Sequence, residues 1–407
     1  MNVDAVLVVA GPGLVADPDL LAGLTAGEAA GLGVAGEFVA AVDAAQVRRL
    51  LDGPGPQRAA VLLPGPDPAV RALLVQDADW SRWTVHYDLD DTGPQPVAAG
   101  SVHLYGRGVW GLAWAIRHAV QRLRRPARRI GYGRHPQQWG ELRLPPAVAD
   151  RIAAALADRP VPVSRPLPVA VLLHGGFWRS VWAADLMDAM AIDLADRGYA
   201  TWNLEYRRPD RHGWAATTAD VATGLAVLAR LPALAGGGVP AGLLDLDRIA
   251  VLGHSAGGQL ALRAAADTAA DTAAGRNGSR DVGGDGVRVA LAVSLAGVLD
   301  LVEGQRRQVG TGAVAAALGG TPTEIGQVYA ASDPMARLPV GVPQLIVQGA
   351  GDDLDLIDFN RRYVAAARAA GEDPGWLEQP GDHFSVIDPA APIWKATVTE
   401  LDRRLGR

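Results

Sequence analysis

Short apolar runs alternate with Ala- and Leu-rich stretches of helical character along the whole chain. This alternation is typical of α/β folds with parallel sheets, in which helices connect successive strands. In the first third of the chain it predicts a helix at Val109–Gln121 and strands at Ala5–Ala10, Ala59–Leu63, Thr84–Tyr87 and Ser101–Leu104. In the rest it predicts strands at Arg129–Tyr132, Glu141–Leu144, Val169–His174, Ala200–Tyr206, Arg248–Gly253, Leu291–Ala296, Gln344–Gln348 and Gly375–Gln379.

The pattern also predicts where the chain divides. Arg122–Arg129 is a basic run interrupted by a proline, which ends a helix and leaves a solvated connector. A chain of 407 residues is long for one domain. We therefore predict two domains, residues 1–125 and 129–407. The stretches Leu234–Leu243 and Asp267–Gly286, the second rich in Gly and Asp, are predicted as surface loops.

Composition excludes several classes of function. Hydrophobic residues make up 49% of the chain and charged residues 20%, which is enough apolar surface for a sizeable core. The net charge of −6 argues against a nucleic-acid partner. The absence of cysteine excludes disulfides and thiolate chemistry. The eight histidines show no metal-binding spacing, and Pro12 removes an amide that a dinucleotide loop at Gly11–Gly13 would need. We predict no metal and no cofactor.

The chain carries no signal for a membrane or for export. No apolar stretch approaches the roughly 18 to 20 residues of a membrane span. The first apolar run stops at Gly11–Gly13 and has an acidic residue where a signal peptide needs positive charge. We expect a cytoplasmic protein without a membrane partner.

One motif predicts a nucleophile. Gly253–Gly257 reads Gly-His-Ser-Ala-Gly and fits the pattern G-x-S-x-G, after an apolar run and before a helical stretch. In such a strand–turn–helix setting the serine lies on a sharp turn at the carboxyl edge of the sheet, and the glycines avoid clashes with neighbouring elements. Ser255 is the predicted nucleophile. The alternative is a Gly-rich turn with an incidental serine.

A serine needs a base to take its proton and an acid to orient that base. His383 is the only histidine after Ser255, and it lies in a loop after a predicted strand. The acid should lie between these two residues in the chain. Asp352, directly after a Gly-Ala-Gly turn, is the predicted acid, and Asp353 is the alternative.

An oxyanion hole needs amide donors. One should come from Ala256, the residue after the nucleophile, and another from a Gly-rich turn that follows an earlier strand. Gly175 and Gly176 follow such a strand, and we predict that their amides complete the hole. Phe177 and Trp178 come next; we predict that they line the substrate pocket, with packing in the core as an equal alternative for Trp178.

Residues 129–407 resemble an α/β-hydrolase of the His-Gly-Gly esterase type. His174–Trp178 resembles the HGGxW signature of the kynurenine formamidase (arylformamidase) group. Gly349–Asp352 is similar to the H-G-x-x-D motif of that group, with Gln348 in place of the usual His, and Gly381–Phe384 resembles its catalytic-His loop. The resemblance implies an α/β-hydrolase fold and catalysis by Ser255, Asp352 and His383.

The predicted function is a serine hydrolase that cleaves small carboxylic esters through an acyl-enzyme. Two alternatives stay open. One is an amidase acting on N-formyl aryl amines, and the other is a non-catalytic binding or scaffolding protein.

Residues 5–122 resemble a degenerate type II 3-dehydroquinate dehydratase, which has a smaller flavodoxin-like doubly wound fold. Gly11–Leu14 stands where that family has Gly-Pro-Asn-Leu, and Leu63–Gly65 where it has Asn-Pro-Gly. The family needs a Tyr soon after the first strand and a His after Asn-Pro-Gly. The first Tyr here is Tyr87, and residues 66–69 contain no His. We expect no dehydratase activity; docking, homo-oligomer formation, shaping of the hydrolase entrance and ligand sensing remain open.

Overall fold

The computed structural model describes residues 3–53, 57–154, 165–234, 239–274 and 287–406. The chain divides into two compact units, Met1–Ala127 (unit 1) and Arg128–Arg407 (unit 2). The point of division lies within the predicted connector.

Unit 1 is a parallel sheet with helices on both faces. Its strands are β1 (Ala5–Ala10), β2 (Ala35–Ala40), β3 (Arg58–Leu63), β4 (Thr84–Asp88) and β5 (Val102–Tyr105). Its helices are α1 (Pro18–Gly31), α2 (Ala44–Leu51), α3 (Pro68–Leu73) and α4 (Gly111–Arg124), with a 3₁₀ turn at Asp79–Arg82. The strand order is β2-β1-β3-β4-β5 and every pairing is parallel. This is the flavodoxin-like order, so the predicted fold of unit 1 is confirmed.

Alternation along β1 explains the two layers of helices in unit 1. Val6 and Val8 belong to one buried cluster, which includes residues of α1 and α4. Leu7 and Val9 belong to a second cluster, with residues of α2 and α3. Successive side chains of a strand point to opposite faces, so a continuous apolar run builds a core on both sides of the sheet.

Unit 2 is built on a larger sheet. Its strands are β6 (Arg128–Gly131), β7 (Trp139–Arg143), β8 (Leu167–Leu173), β9 (Ala200–Leu204), β10 (Leu244–His254), β11 (Val289–Leu295), β12 (Gln344–Gly349) and β13 (Gly375–Gln379). The strand order is β13-β12-β11-β10-β8-β9-β7-β6. The pairs β6–β7 and β7–β9 are antiparallel, and the six strands from β13 to β9 run parallel.

Helices connect the strands of unit 2. They are α5 (Pro146–Ala154), α6 (Asp188–Asp196), α7 (Pro209–His212), α8 (Trp214–Ala226), α9 (Leu231–Leu234), α10 (Ala256–Ala273), α11 (Leu301–Arg306), α12 (Val309–Leu318), α13 (Gly326–Ser332), α14 (Leu354–Ala369) and α15 (Pro392–Arg404). Short 3₁₀ turns lie at Ala184–Met187, Val227–Arg230, Pro334–Arg337 and Ser385–Ile387. The buried residues of the central strands and of α8, α10 and α14 form one large core cluster.

Every predicted strand is present, with ends that differ by a few residues. Two differences are informative. The strand β2 was not predicted, because Gly36 and Glu37 interrupt its short apolar run and it is a mostly exposed edge strand. The loop predicted at Asp267–Gly286 was wrong for its first residues, since α10 continues to Ala273. Residues 275–286, and residues 235–238 of the other predicted loop, lie outside the described residues.

Candidate active site

Ser255 lies on a strained turn between β10 and α10, which we call the elbow. Its φ is 54° and its ψ is −120°, a backbone conformation that non-glycine residues rarely adopt. The turn is held by backbone hydrogen bonds: the Ser255 amide donates to the carbonyl of Leu295 (2.8 Å), and the Ser255 carbonyl accepts from the amide of Gly258 (2.8 Å). Strain that the surroundings maintain in this way is typical of functional turns.

Two glycines allow this turn to form. A Cβ at Gly253 would lie 1.9 Å from the carbonyl oxygen of Gly257, and one at Gly257 would lie 2.1 Å from that of Leu173, the last residue of β8. Neither position has room for a side chain. The first and last glycines of the predicted motif therefore bring the start of α10 against the end of β8.

The Gly-rich turn after β8 lies directly beside Ser255. A Cβ at Gly175 would be 2.9 Å from the Cβ of Ser255. Gly176, Phe177 and Trp178 have φ values of 106°, 51° and 56°, so the backbone reverses sharply just past the strand. The structure thus brings the predicted oxyanion turn and the predicted nucleophile into contact.

Buried side chains hold the Gly-rich turn after β8 in place. His174 is fully buried, and its ring stacks on that of Tyr206 with centroids 4.4 Å apart. The Tyr206 hydroxyl donates a hydrogen bond to the His174 carbonyl (2.7 Å), and burial raises the pKa of Tyr206, which keeps the hydroxyl protonated. Because His174 O and Gly175 N belong to one peptide plane, this bond also orients the Gly175 amide.

The two predicted pocket residues differ in exposure. Trp178 is 1% exposed, its indole N–H donates to the Gln259 side chain (3.2 Å), and its ring meets that of Trp214 edge to face. Phe177 is half-buried, and its ring lies close to Gly310. The pocket role remains a prediction for both residues, and the burial of Trp178 fits the packing alternative.

His383 and Asp352 form a close pair. The Nδ1 of His383 lies 2.9 Å from Oδ2 of Asp352, and the Asp352 side chain is 2% exposed against 23% for His383. Asp352 follows β12 and His383 follows β13, which are neighbouring parallel strands. Their carboxyl ends meet at the same edge of the sheet, so residues 31 apart in the chain become partners.

Asp353 faces elsewhere. It is exposed, and its carboxylate accepts a hydrogen bond from the amide of Asp355 (2.9 Å) as the N-cap of α14. The loop that carries Asp352 is also bonded to the loop that carries His383, because the Gly351 amide donates to the Gly381 carbonyl (2.8 Å). Of the two adjacent carboxylates, Asp352 is therefore the one in contact with the imidazole.

His254 connects the elbow to the loop that carries His383 (the histidine loop), a role that the motif alone did not indicate. Its Nε2 lies 2.9 Å from the carbonyl oxygen of His383, and the two rings are 4.6 Å apart. Burial, together with the nearby His383, holds the pKa of His254 well below its usual range, so the ring is neutral and Nε2–H is the donor. Since Ser255 follows His254 directly, this contact places His383 beside the elbow.

A hydroxyl, an imidazole, a carboxylate and a turn rich in backbone amides are a set of groups that can support acyl transfer. Across the described residues, no group of three or more His, Asp or Glu side chains is arranged to hold a metal ion. In the same part of the chain no helix is both long and apolar enough to span a membrane.

Comparison with known proteins agrees with this architecture. Residues 159–358 match the BD-FAE family. The matched segment contains the Gly-rich turn, Ser255 and Asp352, while His383 lies beyond it. No curated protein matches the chain.

Several solved structures are similar to this one. The bifunctional GH43-CE protein of Bacteroides eggerthii is 19% identical with a TM-score of 0.52, over 69% of this chain and 35% of that chain. A truncated carbohydrate esterase from gut microbiota is 16% identical with a TM-score of 0.52, over 69% and 95% of the two chains. Esterase B from Lactobacillus Rhamnosis is 17% identical with a TM-score of 0.50, over 73% and 91%. The matched part is thus about a third of the first of these proteins. At such identities the similarity concerns the fold, and the predicted α/β-hydrolase fold is confirmed.

Proposed function

We propose that unit 2 is a serine hydrolase that cleaves carboxylic esters of small molecules. One observation carries the proposal: a serine with φ of 54° lies next to a loop in which an imidazole bonds a buried carboxylate at 2.9 Å. A serine on such a turn presents its hydroxyl at the sheet edge, and an imidazole oriented by a carboxylate is the base that activates it.

In the proposed reaction the Oγ of Ser255 attacks the ester carbonyl while the Nε2 of His383 takes its proton. Asp352 accepts the Nδ1–H of His383, which fixes the tautomer and stabilises the imidazolium. The imidazolium then gives its proton to the departing alkoxide, leaving an acyl group on Ser255. Water, deprotonated by His383, attacks the acyl carbonyl and releases the acid and the free serine.

The negative charge that develops on the carbonyl oxygen needs preorganised donors. Ala256 is the first residue of α10, and amides in the first turn of a helix have no partner within the helix. Gly175 lies against Ser255, and Gly176 follows it in the same turn. We assign the amides of these three residues to the oxyanion hole.

We favour esters over N-formyl amides because two of the similar solved structures are named as esterases. Trp178 bonds Gln259 and is buried with the core, so the HGGxW signature supports the turn and does not itself select an aryl substrate. One of the similar solved structures is named as a carbohydrate esterase, so esters of sugars belong in the substrate panel.

Ser255→Ala tests the assignment. We expect kcat for p-nitrophenyl acetate to fall on the order of 10⁴-fold or more, because the covalent route is lost, and labelling by a fluorophosphonate probe to disappear. Ser294→Ala is the matched control, since Ser294 is also buried and pairs with Gly253 across β10 and β11. It should keep activity and labelling.

Three results would contradict the proposal, the third of them only in its substrate. Full activity in the folded Ser255→Ala variant would remove Ser255 from the mechanism. An absence of labelling and of turnover in the wild-type protein would favour the binding or scaffolding alternative. A kcat/KM for N-formylkynurenine well above those of all esters in the panel would replace the ester by the formamide substrate.

A further inference from the structure

Gln348 contacts the same carboxylate oxygen that bonds the predicted catalytic histidine. It lies near the end of β12 and is completely buried. Its Nε2 lies 2.9 Å from Oδ2 of Asp352 and 3.1 Å from the carbonyl oxygen of Gly349. Oδ2 of Asp352 therefore accepts two hydrogen bonds, one from Gln348 and one from His383.

The orientation of the Gln348 amide follows from its neighbours. Both groups in front of Nε2 are oxygen acceptors, so only the NH₂ group can face them; the opposite orientation would set oxygen against oxygen. In the described part of the chain, the Oε1 of Gln348 has no hydrogen-bond partner. A buried carbonyl without a partner is costly. In spite of this unfavourable free energy, the donor end of the side chain is directed at Asp352.

Three donors together fix the position of the carboxylate. The Asp353 amide donates to Oδ1 of Asp352 at 2.7 Å, and Gln348 and His383 donate to Oδ2. The Asp353 amide alone leaves the carboxyl group free to rotate about its axis and move Oδ2 away from the histidine. Gln348 restricts that rotation from a strand, which is a rigid support.

We propose that Gln348 is a positioning residue for the acid–imidazole pair, acting through Asp352 and not on the substrate. This inference rests on the proposed hydrolase function. It predicts that loss of the Gln348 donor lowers kcat, because fewer molecules hold His383 in the productive orientation. Binding of the substrate, which does not involve Gln348, should be unchanged.

The first test is a split between kcat and KM. Gln348→Met keeps the length of the side chain and removes the donor; we expect kcat for p-nitrophenyl acetate to fall about 10-fold or more with KM within twofold of wild type. Gln348→His, which supplies a ring N–H donor in place of the amide, should recover most of the activity lost in Gln348→Met. Gln344→Met is the matched control. Gln344 lies on the same strand, is buried, and bonds Glu372 and Tyr363, away from the pair. Its kcat should stay within twofold.

A double-mutant cycle separates positioning from simple support of the fold. If Gln348 acts through Asp352, Gln348→Met should change kcat less than twofold in an Asp352→Asn background. An equal loss in both backgrounds, or a wild-type kcat in folded Gln348→Met, would overturn the inference. Should Gln348→Met fail to fold, Gln348→Leu, which also lacks the donor, takes its place, and a wild-type kcat or an equal loss in both backgrounds would overturn the inference in the same way.

The outcomes also distinguish this inference from the function on which it rests. Failure of Ser255→Ala to abolish activity and labelling would remove the hydrolase proposal itself. Loss of activity in Ser255→Ala combined with a wild-type kcat in Gln348→Met would remove only the positioning role.

Discussion

At the scale of single residues, neighbours in sequence perform different tasks. Asp352 turns into the molecule, where it meets His383 and Gln348. Asp353 turns outward and caps α14. The same chemical group thus orients an imidazole at one position and satisfies a helix terminus at the next. His254 makes two contacts with one buried ring, which bonds the carbonyl of His383 and packs on its side chain.

This contrast predicts opposite effects for two conservative variants. Asp352→Asn replaces the acceptor of His383 by a neutral amide, and we expect kcat to fall on the order of 10³- to 10⁴-fold because the wrong tautomer is favoured. Asp353→Asn should keep kcat within about threefold, since Asn caps helices as well as Asp. Steady-state kinetics with p-nitrophenyl acetate measures both. A larger loss in Asp353→Asn than in Asp352→Asn would exchange their roles.

At the scale of elements, the site depends on how closely β10, α10 and β8 approach. The sharp turn at Ser255 is possible only because Gly253 and Gly257 leave the backbones free to touch. The parallel order of the strands then places the loops after β8, β10, β12 and β13 along one edge of the sheet. Ligands of open α/β sheets bind at that edge.

A pair of glycine variants tests this close approach. Gly257→Ala would place a Cβ 2.1 Å from the backbone of Leu173, and we expect a loss of about 3 kcal/mol or more in the free energy of unfolding. Gly23→Ala is the control. Gly23 lies within α1, where no heavy atom of the described residues is within 4 Å of the added carbon. It should gain about 0.5–1 kcal/mol because alanine favours the helix. Urea unfolding measures both, and a neutral Gly257→Ala would contradict the geometry.

At the scale of the whole molecule, the two units carry separate cores, and unit 1 contains a buried ion network of its own. In unit 1, Asp88 is buried and accepts hydrogen bonds from Arg71 (2.6 and 2.9 Å), while His103 Nε2 lies 2.9 Å away. Burial alone would raise the pKa of Asp88, but the bonds to His103 and Arg71 outweigh it and lower the pKa to about 2. The ion pair therefore stabilises the folded form of unit 1 across the neutral range.

The lowered pKa sets the direction of the pH dependence. The stabilisation is present above about pH 4, where the unfolded carboxyl is ionised, and is lost as the pH falls toward 2, where the folded one becomes protonated. We expect Asp88 to contribute about 2 kcal/mol to this acid loss. Urea unfolding of wild type and Asp88→Asn at pH 5 and pH 2.5 measures it. The difference between the two proteins should shrink at the lower pH, and a constant difference would refute the assignment.

Much of the architecture was predictable because its signals are local. Apolar runs marked the strands of both units, and the Gly spacing around Ser255 marked the elbow. The strand β2 was missed because Gly36 and Glu37 interrupt its short apolar run and the strand lies at an exposed edge. The end of α10 was missed because the following Gly- and Asp-rich sequence masks a helix that continues over seven more residues, Asp267–Ala273.

The sequence by itself determined the kind of fold, the elbow serine and the single downstream histidine, because periodicity, glycine spacing and residue order are properties of the chain. Only the tertiary structure decided which aspartate meets His383, that Gln348 shares its oxygen, and that His254 tethers the histidine loop. Those contacts join residues 31 to 129 positions apart or depend on a side-chain direction. They exist because β10, β12 and β13 end at one edge of a parallel sheet, and no local pattern encodes that meeting.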